Sequence, residues 1–411
     1  MKFAKVYTAW LLATFFYCYQ YALRVFPASV ESEIRCEFHL TAQEFGTIGS
    51  LAIYAYAFMQ IPIGILIDRV GLKKILIASN ILCVFGTFLM SNAQNANTLQ
   101  ISRILIGIGS ASAFMLALKI AADYLPHGLR GLFMGATLTF GTIGAMFAGN
   151  FFVSLLVKTD WRFILLLLGW IGVAFTLFNI ISFNIKPVKN CKKNGNFNFN
   201  ELVKILTNRS IVIYAILAIG VYTPLSVLTD LWGPVFLMKK YQIVLQEATF
   251  SITFLFIGLS IGSLLLPVIC EKWNCLNFGI QVCSFILLIL FSFLLFNPIS
   301  SIYLLKTILF LIGICCGAEM MCFSGSVRAV QASNSGLAIG VVNTLNMLGG
   351  ASFQQIIGYL LDLQWNGALN EHGIRIYSNG QFVLSLSPLL FIIALCCFLS
   401  IRLSKIMPDY K

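Results

Sequence analysis

The sequence predicts an all-α integral membrane protein built from twelve transmembrane helices. Of its 411 residues, 59% are hydrophobic and only 10% are charged, whereas soluble domains average roughly 45–50% and about 25%. The hydrophobic residues collect in runs close to the length of about 20 residues that a helix needs to cross a bilayer. A soluble nucleic-acid-binding protein is excluded, because the net charge of +12 forms no basic stripe on a soluble module.

Twelve apolar runs fit membrane spans, since a helix of that length satisfies its own backbone polar groups inside the bilayer. They lie approximately at residues 6–30, 45–68, 75–93, 98–125, 130–156, 162–183, 210–237, 245–270, 276–296, 301–325, 336–361 and 382–405. The longest polar stretch, residues 184–209, separates two sets of six spans. We therefore predict an amino-terminal six-helix bundle over 1–183, a cytoplasmic linker over 184–209 and a carboxy-terminal six-helix bundle over 210–411.

The distribution of Lys and Arg predicts the orientation of the spans. With both termini inside, most of the bases outside the spans fall in inner loops and in the linker, as the positive-inside rule requires. Lys2 and Lys5 precede an apolar run without a small-residue cleavage site, so this run is interpreted as the first span and not as a signal peptide. The predicted location is the bacterial inner membrane, with both termini cytoplasmic.

A charged loop joins spans two and three, in the segment GILIDRVGLKK. Its characteristic residues are Gly64, Asp68, Arg69, Gly71, Lys73 and Lys74. The two halves are also weakly repeated, because residues 130–145 align with 335–350 at a constant offset. The loop and the repeat resemble the major facilitator superfamily of secondary transporters, and the resemblance covers nearly the whole chain.

The resemblance implies two six-helix bundles related by pseudo-two-fold symmetry, with the substrate held between them and moved by alternating access. It also implies a carrier that works as a monomer. The loop is expected to act as a gate, in which Asp68 accepts hydrogen bonds from the start of span eleven near Gly336, with Arg130 as a charge partner. A helix N-terminus favours an anion at such a position.

The first span carries a polar stripe. Tyr17, Gln20, Tyr21 and Arg24 follow i, i+3, i+4, i+7 spacing and so share one helical face. That face is too polar for lipid, which predicts that it lines a substrate cavity. The alternative is that Arg24 extends to the membrane interface from the outer helix end.

Lys119 is the second basic candidate, since it lies among apolar residues in span four. A Lys119–Asp123 pair at i, i+4 is an equally good interpretation, in which the two charges only neutralise one another. If Arg24 and Lys119 both face a cavity, a ligand with carboxylates or phosphates is the natural counter-ion.

Two carboxylates in the spans are candidates for proton coupling, because ionisable groups in the membrane are costly without a function. Glu319 lies deep in span ten, and we interpret it as functional. For Asp230, in span seven beside Trp232, we favour hydration at the outer helix end. Arg103, at the start of span four, resembles the basic motif of the family, which implies either assistance to proton coupling or a structural role.

Other polar side chains are predicted to complete the substrate site. Asn343 and Asn346 share a face of span eleven with Gln354, and Tyr54 and Gln60 lie on span two. Amides in membrane helices also bond neighbouring helices for a modest gain, which is the alternative.

The predicted function is proton-coupled import of a small anionic or zwitterionic organic solute: a carboxylate, an amino acid or a carboxylate siderophore. Efflux of a metabolite or drug is the alternative, although span five lacks the proline of the drug-antiporter motif. A membrane sensor or partner subunit is the alternative of another class. The sequence predicts no enzyme, cofactor or metal site, because it has no nucleotide-binding loop and no Cys/His metal spacing. The predicted partners are the solute, H⁺ and the lipid bilayer, without nucleic acid.

Overall fold

The computed structural model describes residues 2–125, 127–183, 199–331, 335–371 and 373–406. Within these ranges the chain is almost entirely α-helical, and the only β-type pairing is an isolated bridge between Leu369 and Arg375. This confirms the predicted all-α class.

Seven helices precede the polar linker. They are α1 Lys2–Ser29, α2 Glu31–Phe38, α3 Ala42–Val70, α4 Leu72–Ser91, α5 Ala96–Tyr124, α6 His127–Leu156 and α7 Trp161–Ser182. Ten helices follow it. They are α8 Phe199–Leu206, α9 Arg209–Val227, α10 Gly233–Tyr241, α11 Leu245–Lys272, α12 Leu276–Phe296, α13 Ile302–Cys316, α14 Glu319–Arg328, α15 Ser335–Leu363, α16 Asn379–Leu386 and α17 Pro388–Ile406.

Eleven helical segments in the described part of the chain are long and apolar enough to cross a membrane. They correspond to the predicted spans two to twelve. The predicted first span is α1, which is long enough but less hydropathic, because it carries several tyrosines, Gln20 and Arg24. Residues 31–38, predicted as part of an outer loop, form the short helix α2 instead.

Contacts divide the chain into two compact units. Unit 1 contains the described residues of Met1–Phe26 and Leu51–Asn198, and unit 2 contains those of Pro27–Ser50 and Phe199–Lys411. The segment 27–50, which precedes the linker by more than a hundred residues, is therefore packed into unit 2. The predicted boundaries of the two six-helix bundles stay a prediction.

Two spans of unit 2 are interrupted where they carry a carboxylate. A π-helical turn over Leu228–Trp232 joins α9 to α10 and contains Asp230. A two-residue break between α13 and α14 precedes Glu319. Such interruptions inside spans are often functional, because they free backbone groups and redirect side chains.

Helices α11 and α13 cross with their backbones in contact. A Cβ atom placed on Gly258 would lie 2.0 Å from the Phe310 carbonyl oxygen, and one on Gly313 would lie 2.1 Å from that of Leu255. Small residues at both positions permit this approach, as in other membrane helix pairs.

We expect Gly313→Leu to lower the thermal unfolding temperature of the purified protein, because the added side chain forces the two backbones apart. Overpacking of this kind typically costs about 1–3 kcal/mol. Gly340→Ala is the matched control, since a Cβ on Gly340 meets nothing within 4 Å. Equal unfolding temperatures for both variants would contradict the observed crossing.

Candidate functional site

One backbone carbonyl of α1 beside Arg24 lacks its helical hydrogen-bond donor. Pro27 has no N–H, so the carbonyl of Leu23, four residues earlier, loses its helical donor. Arg103 of α5 supplies the missing donor, since its Nη1 donates to the Leu23 oxygen over 3.0 Å. Arg103 is 1% exposed, and its guanidinium therefore positions the stretch of α1 that carries Arg24.

A small cavity lies next to this point in unit 1, with a volume of about 20 Å³. Its lining includes Gln20 and Arg24 of α1, Ala52 and Tyr56 of α3, and Ile106 and Ser110 of α5. The volume is close to that of one water molecule. Gln20 and Arg24 thus line a cavity of this size, and the two tyrosines of the stripe pack nearby. That the stripe lines a substrate cavity stays a prediction.

The tyrosines hold the stripe in place through ring contacts. The Arg24 guanidinium lies 5.3 Å from the Tyr21 ring centroid, a distance suited to a cation–π interaction. Tyr17 meets Tyr21 edge-on at 5.5 Å and contacts Phe114 at 5.2 Å. Tyr17 also packs on Gly141 of α6, where a Cβ would come within 2.2 Å of its ring.

The two polar residues predicted on span two have different surroundings. Gln60 is 1% exposed, and its Nε2 donates to the Ala111 carbonyl over 3.4 Å, which is the helix-bonding alternative. Tyr54 is half-buried on α3.

Lys119 lies 3.3 Å from Asp123 one turn further along α5, and both side chains are about 30% exposed, at 30% and 27%. The geometry is that of the local pair, which was one of the two interpretations of the sequence. Its charge is therefore partly compensated within its own helix.

The charged loop between α3 and α4 is a tight turn. Gly71 adopts φ +97°, a left-handed conformation that favours glycine. The Lys73 ammonium donates to the Ile180 carbonyl over 2.7 Å, where the C-terminus of α7 attracts a cation. Arg69 and Lys74 are exposed, and Gly64 faces Met115. The side chains of Asp68 and Arg130, on which the predicted gate depends, lie outside the described residues.

In unit 2, Glu319 meets Asn346. The Asn346 Nδ2 donates to Glu319 Oε1 over 2.5 Å. Glu319 is 5% exposed and Asn346 is 0% exposed. The Asn346 Oδ1 atom is buried without a hydrogen-bond partner.

Asp230 is not hydrated at a helix end, and the interpretation favoured from the sequence was wrong. The side chain is 3% exposed and accepts hydrogen bonds from the Ser226 hydroxyl at 2.9 Å and the Thr229 hydroxyl at 3.1 Å. The span continues through the π-helical turn and α10 to Tyr241, so Asp230 lies inside it and not at its end.

Gln354 extends the same polar cluster from α15. The Gln354 Nε2 donates to both the carbonyl and the hydroxyl oxygen of Ser226 over 3.2 Å, and the backbone carbonyl of Gln354 accepts from the Trp232 indole at 2.9 Å. Asn343, three residues before Asn346, is half-buried on α15.

A second charged group in unit 2 was not predicted from the sequence. We call it the Asp362 network, and its members are Glu31, Arg35, Asp362, Arg375 and Tyr377. Arg35 pairs with Glu31 at 2.7 Å and donates to the Arg375 carbonyl at 3.0 Å. Burial of the Arg35 guanidinium opposes its charge, but the Glu31 carboxylate more than offsets this, so the pKa of Arg35 is raised.

Asp362, at the end of α15, caps the N-terminus of α3. It accepts from the backbone N–H of Gln43 at 2.7 Å and of Ala42 at 3.4 Å. Thr41 and Glu44 form a reciprocal capping box, at 3.2 Å and 2.9 Å, that satisfies the next amide. The first amides of α3 therefore all have acceptors.

Tyr377 and Arg375 hold the Asp362 carboxylate in this position. The Tyr377 hydroxyl donates to it over 2.5 Å and Arg375 Nη1 over 3.1 Å. Burial, followed by the adjoining carboxylate, raises the pKa of Tyr377, so the hydroxyl keeps its proton and remains a donor.

Comparison with known proteins finds similarity to membrane transporters, both in sequence and in structure. The sequence model of the Major Facilitator Superfamily matches residues 10–354. A probable sulfoacetate transporter of Cupriavidus necator is 30% identical over 159 residues, which is 39% of this chain and 37% of that protein. The gentisate transporter of Corynebacterium glutamicum is 23% identical over 355 residues, or 84% of this chain and 79% of that one. Alignments with curated relatives of higher identity span about a third of those proteins' length.

Among solved structures, a bacterial homolog of the human lysosomal transporter Spinster superposes with a TM-score of 0.78, at 15% identity and over 99% of both chains. This similarity shows the fold, which is the twelve-helix fold predicted. The superfamily consists of membrane transporters, which confirms that the chain is not an enzyme. From the family match and the shared fold, the chain belongs to the Major Facilitator Superfamily.

Proposed function

We propose that this protein is a secondary transporter that carries a small organic anion across the bacterial inner membrane by alternating access, coupled to protons. In this proposal both termini are cytoplasmic. The protein works as a monomer and needs no cofactor.

The observation that carries the proposal is the position of Arg24. A guanidinium on the wall of a cavity within a span is expensive unless it meets a counter-ion. Arg24 shares the wall of this cavity with Gln20, and its guanidinium lies 5.3 Å from the Tyr21 ring centroid. Arg103 and Pro27 fix the backbone beside it, which supports a pre-organised site.

The names of two relatives are consistent with this chemistry. Sulfoacetate and gentisate are both organic anions with a carboxylate. Planar, bidentate recognition of such groups is the typical use of arginine.

The predicted site residues receive the following roles in the proposal. Arg24 binds the anion in unit 1, with Tyr17, Gln20, Tyr21 and Tyr54 on the same unit, and Asn343 of α15 stays a predicted substrate residue. Lys119 contributes less, because Asp123 already pairs with it. The loop at Asp68 is the gate. Glu319 takes up the coupling proton, with Asp230 as the second buried carboxylate.

The test is uptake by proteoliposomes that contain the purified protein. The probes are labelled sulfoacetate, gentisate, citrate, galactarate and an amino-acid mixture, with an uncharged sugar as control. We expect uptake of at least one anion, faster with an inward-directed proton gradient, and none of the sugar. Uptake of the sugar, or gradient-independent accumulation of the anion, would contradict the proposal.

A further inference from the structure

We infer that Glu319 and Asn346 together form the binding site of the coupling proton, in which a protonated Glu319 donates to Asn346 Oδ1. This inference rests on the proposed function, in which Glu319 is the coupling carboxylate. It adds the residue that receives the proton's hydrogen bond, and it moves Asn346 from the predicted substrate site to the proton site.

The argument begins with the unsatisfied oxygen. Asn346 is fully buried, and its amide offers two donors and one acceptor group. One N–H reaches Glu319 Oε1 at 2.5 Å, while Oδ1 has no donor. A buried acceptor without a partner destabilises the folded protein.

One proton on Glu319 satisfies this oxygen. A carboxylic acid and a primary amide pair through two antiparallel hydrogen bonds, with acid O–H to amide oxygen and amide N–H to acid carbonyl. The N–H bond to Oε1 is already formed. A proton on Oε2 would give the second bond to Oδ1.

Reversing the amide leads to the same conclusion. If Oδ1 faced the carboxyl group, two oxygens would lie in contact and only a proton between them would make that contact favourable. In either orientation of the Asn346 amide, an acidic hydrogen on Glu319 would supply the hydrogen bond that is missing between the two side chains.

Glu319 is the first residue of α14 and is 5% exposed. Proton uptake forms the O–H bond on Oε2 with a proton from one aqueous phase, and release returns that proton to the other phase.

The ionisable groups of unit 2 that bear on this measurement come from several helices. The thiols of Cys316 and Cys322 face Glu319, with Cys283 of α12 near both. On α11, Glu247 pairs with Lys306 and Cys270 lies against Gly279. Tyr214 of α9 packs on Gly325, and Asp230 is bonded to Ser226 and Thr229. Proton binding at Glu319 is therefore to be separated from thiol titration by mutation.

Infrared difference spectroscopy of the full-length protein in detergent, between acid and alkaline pH, tests the site without any substrate. We expect a protonated-carboxyl band in the wild type that is absent from Glu319→Gln and shifted in Asn346→Leu, since that variant lacks the acceptor. Gly340→Ala, on the same helix, is the matched control and should leave the band in place, since a Cβ there meets nothing within 4 Å. Identical spectra for wild type and Glu319→Gln, or an unshifted band in Asn346→Leu, would overturn the inference.

Transport separates this inference from the proposed function. Glu319→Gln mimics the protonated acid and keeps a donor for Oδ1, so it should lose uptake driven by a pH gradient but retain substrate exchange. If wild-type proteoliposomes take up none of the anions, the proposed function fails while the spectral assignment stands. If pH-driven uptake persists in Glu319→Gln, the proton site is elsewhere although the transporter is real.

Discussion

Replacement of Arg24 by Gln is expected to abolish anion uptake or to raise its apparent KM by a factor of about thirty to several thousand. Loss of one partner from a desolvated, hydrogen-bonded charge pair costs about 2–5 kcal/mol, and each 1.4 kcal/mol is a factor of ten in affinity. Gln keeps much of the side chain's length and polarity, so the packing on Tyr21 changes less than the charge does. The measurement is initial uptake by proteoliposomes over a range of substrate concentrations.

Lys119→Gln is the matched comparison, because it removes a cation from the same unit. Lys119 is already paired with Asp123 at 3.3 Å and is partly exposed. Pairs of this kind are worth at most about 1 kcal/mol, so we expect a change of fivefold or less. If both variants transport normally, the substrate is not bound as an anion and the two bases are structural.

Replacement of Asp362 by Asn is expected to open the start of α3. The carboxylate accepts from Gln43 at 2.7 Å and from Ala42 at 3.4 Å, and it also receives Tyr377 and Arg375. Loss of an N-cap typically costs about 0.5–2 kcal/mol, and charge-assisted bonds are stronger than neutral ones. Amide hydrogen exchange near Gln43 should accelerate about tenfold or more.

Asp160→Asn provides the control for this experiment. Asp160 is the N-cap residue of α7, but its side chain makes no capping hydrogen bond. Its replacement should leave exchange at the start of α7 unchanged within about twofold. Equal acceleration at both helices would mean that loss of negative charge, and not loss of the cap, causes the effect.

The fold could be predicted from the sequence because a membrane span is recognised from its own residues alone. Runs of about 20 apolar residues, closed by charged turns such as the one at Gly71, need no knowledge of distant residues. The wall position of Arg24 and Gln20 was also readable, since helical spacing fixes which residues share a face. The Lys119–Asp123 pair was visible as i, i+4.

The remaining parts of the site depend on contacts that spacing does not encode. Which face of α15 meets the start of α14, and hence the pairing of Asn346 with Glu319, is decided by packing. Asp230 was predicted to lie at the outer end of its span. The span instead continues past it through the π-helical turn and α10 to Tyr241. The sequence contains one signal for the position of Arg103. Pro27 leaves the Leu23 carbonyl without a helical donor, so a donor from another helix, such as Arg103, is expected there.

The Asp362 network has a consequence for biosynthesis. It joins residues that lie 319 to 342 positions apart, from Gln43–Asp362 to Arg35–Tyr377. At about 5–20 residues per second, the ribosome needs roughly a quarter of a minute to a minute to synthesise the chain between them. During that time α1 and α3 are already synthesised, while the amides of Ala42 and Gln43 still lack their acceptor. The N-terminus of α3 is thus synthesised early but receives its capping carboxylate only after Asp362 has been made. Its stability therefore depends on synthesis of nearly the entire chain.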